Sequence, residues 1–72
     1  MSLVKVIELI AQSDKSWEDA ASVAVAEASD TVRGITGIYI ENFQAVVENN
    51  KITQYRVNAK ISFLVDNTSD AS

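Results

Sequence analysis

Apolar and polar positions change period twice along the chain, and each change marks an element. The stretch from Val4 to Ala11 is β-branched and mostly apolar, and the polar run Gln12-Ser13-Asp14-Lys15 stops it, which predicts a first strand. From Trp17 the apolar residues recur at intervals of three and four, through Ala20, Ala21, Ala24, Val25, Ala28 and Val32, which predicts an amphipathic helix. Ser16-Trp17-Glu18-Asp19 precedes it: a hydroxyl followed three positions later by a carboxylate, able to satisfy an orphan N–H of the first turn. Gly34 supplies a residue that tolerates the left-handed conformation ending such helices, so the predicted span is Trp17 to Arg33.

The remaining half alternates with period two. Ile35 to Val47 and Ile52 to Val65 read as two long strands joined by Glu48-Asn49-Asn50-Lys51, whose asparagines tolerate the positive φ of a tight hairpin turn. In the second arm Tyr55, Val57, Ala59, Ile61, Phe63 and Val65 share one face, and Gln54, Arg56, Asn58, Lys60 and Ser62 the other. The order is therefore β-α-β-β, an α+β fold in which a three-stranded antiparallel sheet wraps around one helix. Each hairpin arm, at 3.3 Å per residue, spans about 40 Å and overhangs a helix of about 25 Å. Asn67 to Ser72 has no periodicity and reads as a flexible tail, from about residue 66, on a single domain spanning 1–72.

Composition narrows the chemistry. The chain has 72 residues and neither cysteine nor histidine, which removes disulfides, zinc fingers, Ser-His-Asp triads and thiol nucleophiles together. Carboxylates, lysine and tyrosine remain for proton transfer, but no pair of them has a spacing that argues for catalysis, so a non-enzyme is expected. Ten acidic against six basic residues, a net charge of -4, is the wrong sign for a reader of phosphate backbones, and nucleic acid is not an expected partner. No apolar run is long enough to span a bilayer, so a cytoplasmic protein with no membrane partner is expected. A core this small supplies roughly 3–5 kcal/mol at most, and with no disulfide and only oxygen ligands for a metal, self-association is the expected supplement. Long open strand edges point the same way.

The residues also carry a family resemblance. Lys5-Val6-Ile7-Glu8, Ser16-Trp17-Glu18-Asp19-Ala20, Thr31-Val32-Arg33, Val47-Glu48-Asn49-Asn50-Lys51-Ile52, Tyr55-Arg56-Val57-Asn58 and Lys60-Ile61-Ser62-Phe63, in that order over about residues 3 to 66, resemble the dodecins. The resemblance implies a protomer that assembles into a hollow homododecamer of cubic symmetry. It also implies storage or sequestration of flavin (riboflavin or FMN) without turnover. In flavin-binding members a tryptophan on the second strand stacks on the flavin and a glutamine on the third holds it. Those positions are Gly37 and Arg56 here, so both halves of that clamp are changed. In another bacterial branch the aromatic residue lies two positions later, at Tyr39, on the same strand face. A third, calcium-binding branch resembles this chain in its helix start and in lacking the strand-two tryptophan.

The candidate binding residues are therefore Tyr39, Arg56, Gly37 and Gln44. Tyr39 offers a ring for an isoalloxazine, Arg56 a fork for a phosphate or carbonyl, and Gln44 a further polar group on the second strand. The alternative is a flavin-free structural or calcium-binding assembly. Glu18, Asp19, Glu27 and Asp30 put several carboxylates on the helix, but no Asp-x-Asp-x-Asp-Gly loop is present and no metal ligands are assigned. Trp17 reads as a packing residue. Lys5, Glu8, Glu41 and Lys60 read as surface charges available for ion pairs between protomers.

Overall fold

In the computed structural model, which describes residues 2–66, β1 (Ser2–Ser13) is followed by α1 (Trp17–Ala28), β2 (Ile35–Glu48) and β3 (Lys51–Asp66). All pairing is antiparallel and the strand order is β1-β3-β2, so the last strand lies in the middle. β3, the strand with the cleanest alternation, is thus paired along both edges. The turn is the expected one, with Asn49 at φ 52 and Asn50 at φ 64 between paired Glu48 and Lys51. β3 continues through Asp66, and the rest of the expected tail, 67–72, lies outside the described residues.

Both β1 and the hairpin run past their predicted ends, whereas the helix falls short of its own. Ser16 caps α1 as expected, its Oγ accepting from the Asp19 amide at 2.9 Å. The helix stops at Ala28, five residues before Arg33. Hydroxyl residues account for the early stop. Ser29 Oγ donates to the Ala26 carbonyl at 2.7 Å and Thr31 Oγ1 to that of Ala28 at 3.2 Å, while the Asp30 and Thr31 amides turn to carbonyls three residues back. Val32 still sends its amide to Ala28 at 2.9 Å and still packs on the core, so the apolar stripe outlasts the helix.

Gly34 is needed for β2 rather than for a helix cap. It sits at φ +75, its carbonyl accepts from the Leu64 amide at 2.9 Å, and a Cβ there would lie 3.0 Å from the Leu64 carbonyl oxygen. Gly34→Ala is expected to cost about 1–2 kcal/mol from the left-handed backbone alone. Chemical denaturation would read this as a lower midpoint at unchanged slope, and an unchanged midpoint would contradict it.

The core is thin and lies between helix and sheet. Ala20, Ala24 and Ala28 of α1 meet Ala11, Val57, Ala59 and Ile61, with Ile7, Leu9, Val23, Val32, Ile35, Ile38 and Ile40 packed around them. Alanine on the helix side lets the axis sit close to the strands, and the buried residues of β3 beneath it, Val57, Ala59 and Ile61, are none of them aromatic. The sheet outruns its short helix, and the long dimension of the protomer is 59 Å.

The face of the sheet away from the helix departs from expectation. β3 presents the predicted polar residues there, but β1 adds Val4, Val6 and Ile10 and β2 adds Tyr39, all more than half exposed. The face is mixed, with apolar side chains flanking a polar central strand.

Candidate functional site

The far face is organised by register. Going across β1, β3 and β2, Val6 lies beside Ser62 and Gly37, Glu8 beside Lys60 and Tyr39, and Gln12 beside Arg56 and Gln44. Gly37 and Tyr39 are thus brought together, and with Val6, Ile38, Lys60 and Ser62 they line an open hollow of about 320 Å³. The Tyr39 side chain is 63% exposed, which is unusual for an aromatic ring on a packed sheet and leaves the ring free for a flat partner. The hollow exists because position 37 is glycine: a Cβ there would already lie 3.3 Å from Ser62 Oγ.

Arg56 and Gln44 form a second group on the same face. They are paired across β2 and β3, four residues along β3 from Lys60, or about 13 Å. The structure places these two away from the Tyr39 hollow and engages each one. Arg56 Nε and Nη2 both donate to Gln12 Oε1, at 3.2 and 3.0 Å, and Gln44 Nε2 donates to Asn58 Oδ1 at 3.0 Å. Arg56 is held by a neutral amide rather than a carboxylate, so its charge is not cancelled by its partner.

Between the two groups lies a charged link that sequence reasoning distributed differently. Lys60 Nζ stands 3.6 Å from Glu8 Oε2 and 3.9 Å from Glu41 Oε2, so the charges expected to pair between protomers meet within one. Glu41 reaches the far face because it is the extra residue of a bulge between Ile40 and Asn42. Glu8, Ile10, Glu41 and Asn58 border an adjoining hollow of about 410 Å³. Lys5 is on the opposite face, paired with Phe63.

Val6, Lys60 and Ser62 are site residues that the sequence reading did not assign. The signal for Lys60 and Ser62 was present in the hairpin register, which sets Lys60 opposite Tyr39 and Ser62 opposite Gly37, whereas Val6 is placed by the pairing of β1.

The helix-side aromatic cluster serves packing. Trp17 meets Tyr55 edge-on at 4.9 Å between centroids and Phe43 at 6.0 Å, and its Nε1 donates to the Gln44 carbonyl at 2.8 Å. This ties the start of α1 to β2. Asp19, one of the helix carboxylates considered for calcium, accepts from Ser13 Oγ and so closes the β1–α1 connection. Among the described residues, no three acidic side chains converge on one point.

The dodecin family model matches residues 3–66. The chain belongs to the dodecin family. Calcium dodecin of Mycobacterium tuberculosis is 45% identical over 64 residues, covering 88% of this chain and 89% of that protein. The crystal structure of that calcium-chelating antigen, described with a novel calcium-binding site, superposes with a TM-score of 0.78 at 34% identity, over 92% of this chain and 94% of the other. Dodecin from Streptomyces coelicolor superposes with a TM-score of 0.87 at 22% identity, over 90% and 93% of the two chains, and so shares the fold. The family thus holds both expected topology and expected strand pairing: β-α-β-β with the antiparallel sheet against one helix.

Among the described residues no helix is long and apolar enough to cross a membrane.

Proposed function

We propose that this dodecin is a non-enzymatic, cytoplasmic binding protein that stores or sequesters flavin, riboflavin or FMN, in the far-face hollow of a homododecameric shell. The observation that carries the reading is the open hollow beside an exposed Tyr39 ring, bordered by an ammonium and a hydroxyl. A flavin fits that set: a flat, electron-poor ring system wants an aromatic face, and its carbonyl edge wants donors. Tyr39 is the stacking residue in this reading, the missing side chain of Gly37 admits the ring, and Arg56 or Gln44 is left for the polar tail. Assembly is supported by the thin core and by Val4, Val6, Ile10 and Leu64, which a lone protomer leaves exposed on the far face.

Titrating riboflavin and FMN with purified apoprotein tests the reading. Flavin emission is expected to fall as the ring stacks, and unquenched emission at micromolar protein would refute it. A specific observation favours a second reading, in which the assembly binds calcium: the 45% identity to a calcium dodecin. Within one protomer Glu8 and Glu41 both approach Lys60, but among the described residues no three acidic side chains converge, so a calcium site would draw ligands from more than one chain. On this reading calcium gives heat in calorimetry and raises the melting temperature. Neither effect at millimolar calcium would count against it.

A further inference from the structure

Lys60 has the position of a ligand-facing cation more than that of a structural one. Its side chain is 38% exposed and forms part of the wall of the Tyr39 hollow, directly across the β2–β3 pair from the ring. Its two carboxylate partners stand at 3.6 and 3.9 Å, both beyond hydrogen-bonding distance. Exposed ion pairs of that length contribute little, so the ammonium can turn toward a bound molecule at small cost. The three donors of a lysine can serve a ligand while the butyl stem still covers the hollow's apolar side. Glu8 and Glu41 approach from β1 and β2, and both compete with the ligand for the same proton-bearing nitrogen.

We infer that Lys60 anchors the electron-rich edge of a planar ligand stacked on Tyr39, and that Glu8 and Glu41 tune the affinity by competing for its ammonium. The inference rests on the flavin reading and adds to it the residue that recognises the ring rather than the tail. It makes the site selective for flat molecules with carbonyl or anionic edges over purely hydrocarbon aromatics of the same size. Two features separate it from a merely structural lysine. Ring-only recognition is independent of a phosphate, and removal of a competing carboxylate helps binding instead of harming it.

The test uses fluorescence titration with FMN and with a flavin ring lacking the ribityl chain, each against wild type, Lys60→Met, Lys60→Gln and Glu41→Gln. Circular dichroism melting establishes that each variant is folded. Lys60→Met is expected to weaken both ligands by a similar factor of about ten, since a hydrogen bond to a charged group is lost. Lys60→Gln, which keeps a donor, is expected to recover part of that loss. Glu41→Gln is expected to tighten both ligands about two- to threefold. Unchanged affinity in Lys60→Met, or weakening in Glu41→Gln parallel to that in Lys60→Met, overturns the inference while leaving the flavin reading intact. Absence of quenching by wild type removes the flavin reading and the inference with it.

Discussion

Replacing Ile61 with alanine is expected to lower stability by about 2–5 kcal/mol, the usual range for deleting a buried isoleucine down to its Cβ. The residue is fully buried, pairs with Ile7 on one side and Ile38 on the other, and lies in the same cluster as the alanine stripe of α1. The buried helix residues of this cluster are all alanines, and Ile7 and Ile38 are held in place by strand pairing. The loss is as large as the roughly 3–5 kcal/mol that a core of this size supplies, so a protomer carrying the substitution would need the proposed assembly to stay folded. At matched protein concentration the melting temperature should fall by roughly 10–30 °C, with Ile61→Val losing far less. Ser62→Ala, one residue along and facing away from the helix, is the control and should move it by only a few degrees. An Ile61→Ala protein melting within a few degrees of wild type would mean that the helix–sheet layer is not where the stability resides.

Much of this arrangement is legible in the sequence because it depends on period and on local chemistry. The alternation from Tyr55 to Val65 announces the third strand, Ser16 announces the helix start, and Asn49-Asn50 announces the turn. The helix end was not legible: Val32 keeps the apolar spacing going, and the competition that ends the helix lies in the hydroxyls of Ser29 and Thr31, whose choice of acceptor depends on three-dimensional geometry. The site shows the same division. Counting back from the turn sets Tyr39 opposite Lys60, and the structure agrees, because an extra residue on β3 at Thr53 is cancelled by an extra residue on β2 at Glu41. Between those two bulges the register is offset by one. That offset places Gln44 opposite Arg56 on the far face, where an unbulged hairpin would place it opposite Tyr55 on the helix face. The Tyr39 half of the site could therefore be read from the turn alone, whereas the Gln44–Arg56 half needed the bulges. The far face also holds more apolar area than β3 suggests, because the mostly apolar first strand hides its alternation: Val4, Val6 and Ile10 point one way, Ile7 and Leu9 the other.

Tyr39→Ala is expected to weaken flavin binding roughly ten- to a hundredfold, since stacking a flat heterocycle on an aromatic side chain contributes about 1–3 kcal/mol. The ring is 63% exposed and belongs to no buried cluster, so the substitution should leave melting nearly unchanged, and a change in titration would report the ligand and not the fold. Tyr39→Phe keeps the ring and is expected to bind within about twofold of wild type, which separates stacking from any hydrogen bond of the phenol. The converse substitution tests the same geometry from the other side. Gly37 lies two residues from Tyr39 in the same hollow, and a Cβ there would lie 3.3 Å from the Ser62 hydroxyl. Gly37→Leu fills the space that the glycine leaves open, so flavin affinity should fall about tenfold or more. Both results follow from one requirement, that the ligand lies flat against the β2 side of the far face. If Tyr39→Ala binds flavin as tightly as wild type, the ring is only part of the protomer's surface and any flavin held by the assembly lies elsewhere.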